Sequence, residues 1–297
     1  MPASYILDIG GVRSLLKLKG ISELLENDPC YGPFFSTIDH ITDHDLSISV
    51  DISDPPDMTD IPMLFDNGSS WSFYRDSGSS YIKLYGTGHD DILLVAEMNG
   101  DNDEVSIKCD ERFIIEGAPD IISANPVRYP LDQILLMYYL SNRRGLIVHA
   151  AGSSINNRGL IFAGRSGSGK STISRLIAER SKEPLLSDDR VVIRSNGKGY
   201  LAYGTPWPGE EGIASNSKVE VGGLFFIHHG TENIANEISP IDAIERLLPA
   251  VSSPWFDREA VAGILSSCDD LISNVPCYDL HFYPDHNIFD FVKEILS

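Results

Sequence analysis

Alternating apolar and polar positions mark the first part of the chain as strand-rich. Residues 71–75 and 81–85 each alternate, and they flank Asp76-Ser-Gly-Ser-Ser80, a run of turn formers, so the pattern predicts a β-hairpin. Residues 91–98 and 104–108, on either side of Asn99-Gly-Asp-Asn-Asp103, predict a second. An antiparallel meander over about residues 45–116 accounts for both, with one sheet face left open to solvent or docking. Residues 54–68, rich in Pro, Asp and Gly, predict a long irregular connection.

Past residue 117 the pattern changes. Pro119, Pro126 and Pro130 predict an inter-domain connection over 117–130, which divides the chain into a β-rich domain at 1–124 and a second domain at 125–297. Residues 131–140 are apolar nearly all round and predict a buried helix. Short apolar runs at 146–149, 159–163, 184–187, 191–193, 201–203, 224–227 and 277–282 predict strands, with a short turn at Asn156-Asn157. Helical spacing at 172–179, 241–251 and 258–272 predicts helices, and a last one is capped near Asp285, after Pro284. Strands and helices alternate irregularly, so the expected fold class is α/β with a mixed sheet. No internal repeat or low-complexity tract interrupts it.

Composition narrows the partners. The chain has 297 residues, long for a single core, and 42% apolar residues, ordinary for a globular protein. Its net charge of −20 is spread along the sequence without a basic tract. Such a surface repels phosphate backbones and anionic lipid, which excludes nucleic acid and membrane as main partners and favours a basic peptide. Acidic residues such as Asp39, Asp43, Asp45, Asp51 and Asp54 make the early part of the chain a candidate docking site for one. Cys30, Cys109, Cys268 and Cys277 form no C-x-x-C pair and no metal-ligand grouping with the eight histidines, the pattern of reduced, buried thiols in a cytoplasmic protein. No basic segment leads into an apolar run at the N-terminus, and no stretch reaches membrane-spanning length.

One stretch carries specific chemistry. Gly164-Arg-Ser-Gly-Ser-Gly-Lys-Ser171 fills every position of G-x-x-x-x-G-K-[ST], between a predicted strand and a predicted helix. Its glycines let successive N–H groups converge on one centre, which an anion satisfies, and the helix N-terminus adds partial positive charge. Gly164, Arg165, Ser166, Gly167, Ser168, Gly169 and Thr172 are therefore the candidate cradle for a nucleoside triphosphate. Lys170 is placed to reach the β- and γ-phosphates, and the Ser171 hydroxyl to ligand Mg²⁺.

Two further features bear on what happens to the phosphate. Asp188-Asp189 interrupts an apolar run that resumes at Val191, so the pair sits within a core element. Adjacent residues there point apart: one carboxylate can reach the metal or its waters while the other faces an acceptor. His149 ends the strand before the glycine-rich loop, and Glu210 and Glu211 lie in a Pro/Gly loop.

Together, Val148-His149-Ala150, Gly164 to Ser171 and Leu186-Ser-Asp-Asp-Arg-Val191 resemble the HPr kinase/phosphorylase family and its relatives in the phosphoenolpyruvate carboxykinase-like group. The likeness covers about residues 145–230. It implies a P-loop kinase domain using ATP and Mg²⁺, with Asp189 taking the acceptor's proton, Asp188 assisting at the metal or phosphate, and His149 beside the γ-phosphate. Ser171 and a downstream Glu, Glu210 with Glu211 close behind, would hold the metal. Where the bifunctional family carries an Arg-Gly-Leu-Gly type signature, this chain reads Gly204-Thr-Pro-Trp-Pro-Gly-Glu210, and its β-rich N-terminal part also departs from that family. The loop looks more like that of stand-alone HPr-kinase-like proteins that modify peptides. The resemblance thus implies transfer of the γ-phosphoryl group to a hydroxyl, serine in a peptide or protein; the β-rich N-terminal domain, outside the likeness, is a candidate for substrate recognition. A small-metabolite kinase with the same machinery and a nucleotide-driven switch or ATPase are the alternatives. The acid pair separates the last from the others, because a kinase needs a carboxylate placed to receive a hydroxyl proton.

Overall fold

Alternation in the first part of the chain becomes a broad sheet. The computed structural model describes residues 4–38, 43–165, 167–181, 183 and 185–296. Strands β1 (Ser4–Ile9), β2 (Val12–Leu18), β3 (Glu23–Leu24), β4 (Phe35–Thr37), β5 (Leu46–Ile52) and β6 (Met63–Asp66) come first. They are followed by β7 (Trp71–Asp76), β8 (Ser79–Tyr85), β9 (Ile92–Met98), β10 (Glu104–Cys109), β11 (Ile114–Ile115) and β12 (Ala118–Ile122). Nine of these form one sheet in the order β4-β1-β2-β5-β10-β9-β8-β7-β6, and β11-β12-β3 form a small one. Along β5, Leu46, Ile48 and Val50 are buried while Ser47, Ser49 and Asp51 turn outward.

Both expected hairpins are present. β7 pairs with β8 across Ser77 and Gly78, whose φ values of 37° and 108° are those a two-residue turn demands. β9 pairs with β10 around Asn99, whose side-chain oxygen accepts from the amides of Asp103 and Glu104 at 3.1 Å. The meander is not antiparallel throughout, because β5 pairs in parallel with both β2 and β10. Alternation reports which face a strand buries and leaves its neighbours open. The expected irregular stretch at 54–68 contains β6, and the expected connection at 117–130 contains β12.

Helix α1 (Leu131–Ser141) buries Leu131, Ile134, Leu135 and Tyr138. The described chain divides into two compact units. The first takes residues up to Asp8, then Val12–Tyr139 and Trp255–Asp257; the second takes Ile9–Gly11, Leu140–Pro254 and the chain from Arg258. Division at 124/125 would assign α1 to the second domain, whereas its residues to Tyr139 group with the first. A helix that is apolar all round does not announce which core it fills, and here Tyr138 stacks on Phe73 with centroids 5.0 Å apart. Within the same unit, Phe256 stacks on Phe65 at 4.4 Å and the buried Asp257 takes Arg75 at 2.5 Å.

The second unit contains β13 (Gly145–Ile155), β14 (Arg158–Ala163), α2 (Lys170–Arg180), β15 (Arg190–Ser195), β16 (Tyr200–Tyr203) and β17 (Lys218–His229). After these come β18 (Ile234–Glu237), α3 (Pro240–Leu247), α4 (Arg258–Asn274), β19 (Cys277–Phe282) and α5 (Ile288–Ile295). Its sheet runs β14-β13-β15-β16-β17-β19-β18, and β14 also pairs with β17, so the first five strands close on themselves. β17 pairs in parallel with both β14 and β19, while the remaining pairs are antiparallel: a mixed α/β unit, as expected. Phe162, Ile173, Ile177, Phe225, Leu280, Phe282, Ile288 and Val292 form the core under α2 and α5. Asn156 and Asn157, with φ of 54° and 59°, make the tight β13–β14 turn. Of the run expected as a strand at 184–187, Pro184 lies outside the described residues, and Ser187 makes isolated bridges to Gly152 and Ala214.

None of the four cysteines is in a disulfide, and burial pushes the thiols of Cys109, Cys268 and Cys277 up to about 12. Among the described residues, no helix is long and apolar enough to cross a membrane.

Candidate functional site

The buried strand β14 delivers the chain to Gly164, and α2 begins at Lys170. Between them the backbone reverses through Gly167 and Gly169, with φ of 78° and 101°. An L side chain at either position would be strained, which is why the turn needs glycine. Gly169 is the N-cap of α2 and has no side chain to offer its first-turn amides, which are left for an outside acceptor. Ser171 and Thr172 lie half-buried on that first turn, and Arg165 is exposed at the rim. Ser168 is buried, its amide donating to the Arg165 carbonyl at 3.1 Å. Ser166 lies outside the described residues.

Lys170 folds back over the loop. Its Nζ donates to the carbonyl oxygens of Gly164 and Arg165 at 3.0 and 3.2 Å. Burial lowers the ammonium's pKa below the usual lysine value, and the negative charge of Asp189 partly opposes that. Lys170 and Asp189 therefore lie within electrostatic reach of each other, although separate elements carry them.

The register of β13 against β15 supplies the rest, setting His149 opposite Arg190. His149 Nε2 lies 2.8 Å from Asp189 Oδ1, and Arg190 Nη1 pairs with the other carboxylate oxygen. Burial alone would raise the pKa of Asp189. The hydrogen bond from His149, with the charges of Arg190, His149 and Lys170, outweighs it and holds the carboxyl below its ordinary range. Asp189 is thus ionised at neutral pH, with both oxygens oriented.

Asp188 turns the other way. It is 2% exposed, and its oxygens accept from three backbone amides: Gly209 at 2.9 Å, Glu211 at 2.8 Å and Ile213 at 3.3 Å. The two carboxylates separate, as adjacent strand-end residues should, but Asp188 faces a loop backbone instead of an open metal position. It organises the segment that carries Glu210 and Glu211. Thr205 anchors the start of that segment by donating to the Arg190 carbonyl at 2.7 Å. Gly204 admits no other residue: a Cβ there would stand 2.0 Å from the Ser215 carbonyl oxygen and 2.4 Å from that of Leu186. We expect Asp188→Asn to destabilise the protein by about 2–3 kcal/mol, because one charge-assisted acceptor becomes a donor facing an N–H. Denaturant melts would measure that loss, and limited proteolysis should cut within 209–213.

Ser171, Asp188 and Glu210, the set expected to hold Mg²⁺, lie in three different settings: half-buried, buried and exposed. Asp188 is committed to amides, Glu210 is exposed, and among the described residues no three His, Cys, Asp or Glu side chains group to hold a metal.

Two residues join the site that sequence reasoning passed over. Arg190 was visible as the residue after the acid pair, but its bond to Asp189 depends on backbone direction. His229, at the end of β17, brings Nε2 to 2.8 Å from the Gly167 carbonyl oxygen. Its signal was a strand run ending in two histidines, with nothing in the spacing to tie it to the loop.

No family model matches the chain, and none of the curated proteins does. Among solved structures, the HPr(Ser) kinase/phosphatase of Coxiella burnetii aligns over 50% of this chain and 93% of its own, with a TM-score of 0.29 and 14% identity. At that score the likeness is weak and decides nothing about this chain.

Proposed function

We propose that the second unit is an ATP-dependent kinase that transfers the γ-phosphoryl group to a hydroxyl, a serine of a peptide or protein. The observation that carries this reading is the ionised Asp189 carboxylate, held at 2.8 Å by His149 and within electrostatic reach of Lys170 at the glycine-rich loop. The loop amides and the α2 N-terminus take the phosphates, and Lys170 balances charge on the β- and γ-groups. The acceptor oxygen attacks the γ-phosphorus as the bond to the β–γ bridging oxygen breaks, its electrons leaving with ADP. The acceptor proton passes to Asp189. A carboxyl with a depressed pKa is a weak base, so its work is to orient the hydroxyl and take the proton late, which a loose transition state permits.

Exposure supports a large acceptor: the His149 and Asp189 side chains are 39% and 21% exposed, an open approach suited to a residue carried on a bigger molecule. Incubation with γ-labelled ATP and serine-containing peptides, beside free serine, tests the reading. Labelled peptide is the expected product; phosphate release with every acceptor unlabelled would move the protein to the ATPase class.

His149 makes a second test. A base must be ionised, so the rate is lost as pH falls through the pKa of Asp189. His149→Ala removes a contribution that lowers this pKa and leaves burial, which raises it. The acid limb of the single-turnover pH–rate profile should therefore move to higher pH. An unmoved limb would detach His149 from the base.

A further inference from the structure

A cleft of about 440 Å³ opens beside the glycine-rich loop, lined by His229, Gly230, Thr231, Glu232, Ile234 and His281. Its position follows from topology. β14, β17 and β19 run parallel, so the chain segments leaving their carboxyl ends emerge on one edge, the ordinary place for ligands in α/β sheets. The first of these segments is the loop at Gly164; the second, leaving β17, lines the cleft together with Ile234 of β18 and His281 near the end of β19. His229 joins them, since it lines the cleft while its Nε2 meets the Gly167 carbonyl oxygen at 2.8 Å. The cleft thus begins one imidazole ring away from the loop.

Its walls are braced. The Gly230 amide donates to the Phe282 carbonyl at 2.9 Å, and the Asn233 side chain links to the Tyr283 amide at 2.9 Å and the Asp285 carboxylate at 3.2 Å. Ile234 stands opposite His281 across the β18–β19 pair and is 40% exposed, an apolar surface beside an imidazole plane. Thr231 and Glu232 add polar groups at the rim. On the other side of β19, Phe282 is buried and its ring would lie 3.3 Å from a Cβ on Gly169, which fixes this strand end against the start of α2.

We infer that this cleft holds the nucleoside of the bound triphosphate, with the base against His281 and Ile234 and the ribose passing His229. The inference rests on reading the glycine-rich loop as the phosphate site, and adds where the rest of the nucleotide lies. A planar base suits a flat imidazole and an aliphatic side chain, and the volume is within the range of small-molecule sites. Direction fits too: phosphates in the loop leave the nucleoside to extend along the edge from β14 toward its parallel neighbour β17 and on to β19.

Titration calorimetry of the full chain with ATP and with inorganic tripolyphosphate tests it, on the wild type, His281→Ala and Thr231→Trp. His281 and Thr231 are exposed, so neither change disturbs the core. We expect the Kd for ATP to rise about tenfold in each variant, the worth of one base-stacking contact, while that for tripolyphosphate stays as in the wild type. Unaltered ATP affinity in both variants would overturn the inference and leave the phosphate site standing. Equal weakening of both ligands would overturn it as well, since the substitutions would then act on the loop. A wild type that binds neither ligand would overturn the phosphate-site reading itself, and the nucleoside cleft with it.

Discussion

Lys170→Met should slow phosphoryl transfer by roughly 10³-fold, the scale of losing one preorganised charge partner at a transition state. The same substitution should leave the melting temperature unchanged or raise it. In the folded chain Lys170 is buried at the loop mouth and its pKa is depressed, so the charged form costs more there than in the unfolded chain. A group of this kind withdraws stability at every pH below its unfolded pKa, and a neutral side chain of similar length removes that penalty. Methionine keeps the stem and forfeits the two bonds to the Gly164 and Arg165 carbonyls and the attraction of Asp189, which the burial of the charge outweighs. Single-turnover rates beside thermal melts would read both effects. Retained transfer would sink the phosphate role, and a large drop in melting temperature would show that the ammonium is a structural prop.

Asp189→Asn carries the second large effect. It preserves shape but removes the charge that orients the acceptor hydroxyl and receives its proton, so transfer should fall by about 10²–10⁴-fold. ATP affinity should change little, because the loop backbone and Lys170 are intact. The comparison with Asp188→Asn is informative. That neighbour has its oxygens on the amides of Gly209, Glu211 and Ile213, so its loss should appear first as instability of the loop. An Asp189→Asn protein that transfers phosphate at the normal rate would remove Asp189 from the role of base.

What could be read from the sequence was whatever is local. The glycine-rich turn is legible because an anion cradle needs glycine at fixed positions within eight consecutive residues, flanked by a strand and a helix. The hairpins at Ser77-Gly78 and Asn99 are legible for the same reason. The pairing of His149 with Asp189 is not local: it depends on the register of β13 against β15, which sets His149 opposite Arg190. The opposite orientation of Asp188 and Asp189 follows from backbone alternation, yet the partner of Asp188 is a loop some twenty residues on, and spacing alone cannot name it. Strand β5 shows the same limit in the fold. Its alternation is plain, but its parallel neighbours β2 and β10 come from distant parts of the chain.

The assignment of Trp255–Asp257 to the first unit has a consequence for synthesis. A chain leaving the ribosome ordinarily matures one domain at a time, the N-terminal one first. Here the earlier unit lacks Phe256 for its Phe65 stack and Asp257 as a counter-ion of Arg75 until the Leu140–Pro254 part of the later unit has been made. The Phe65–Phe256 stack and the Arg75–Asp257 ion pair are therefore completed only after Leu140–Pro254 has been made, with the chain from Arg258 still to follow.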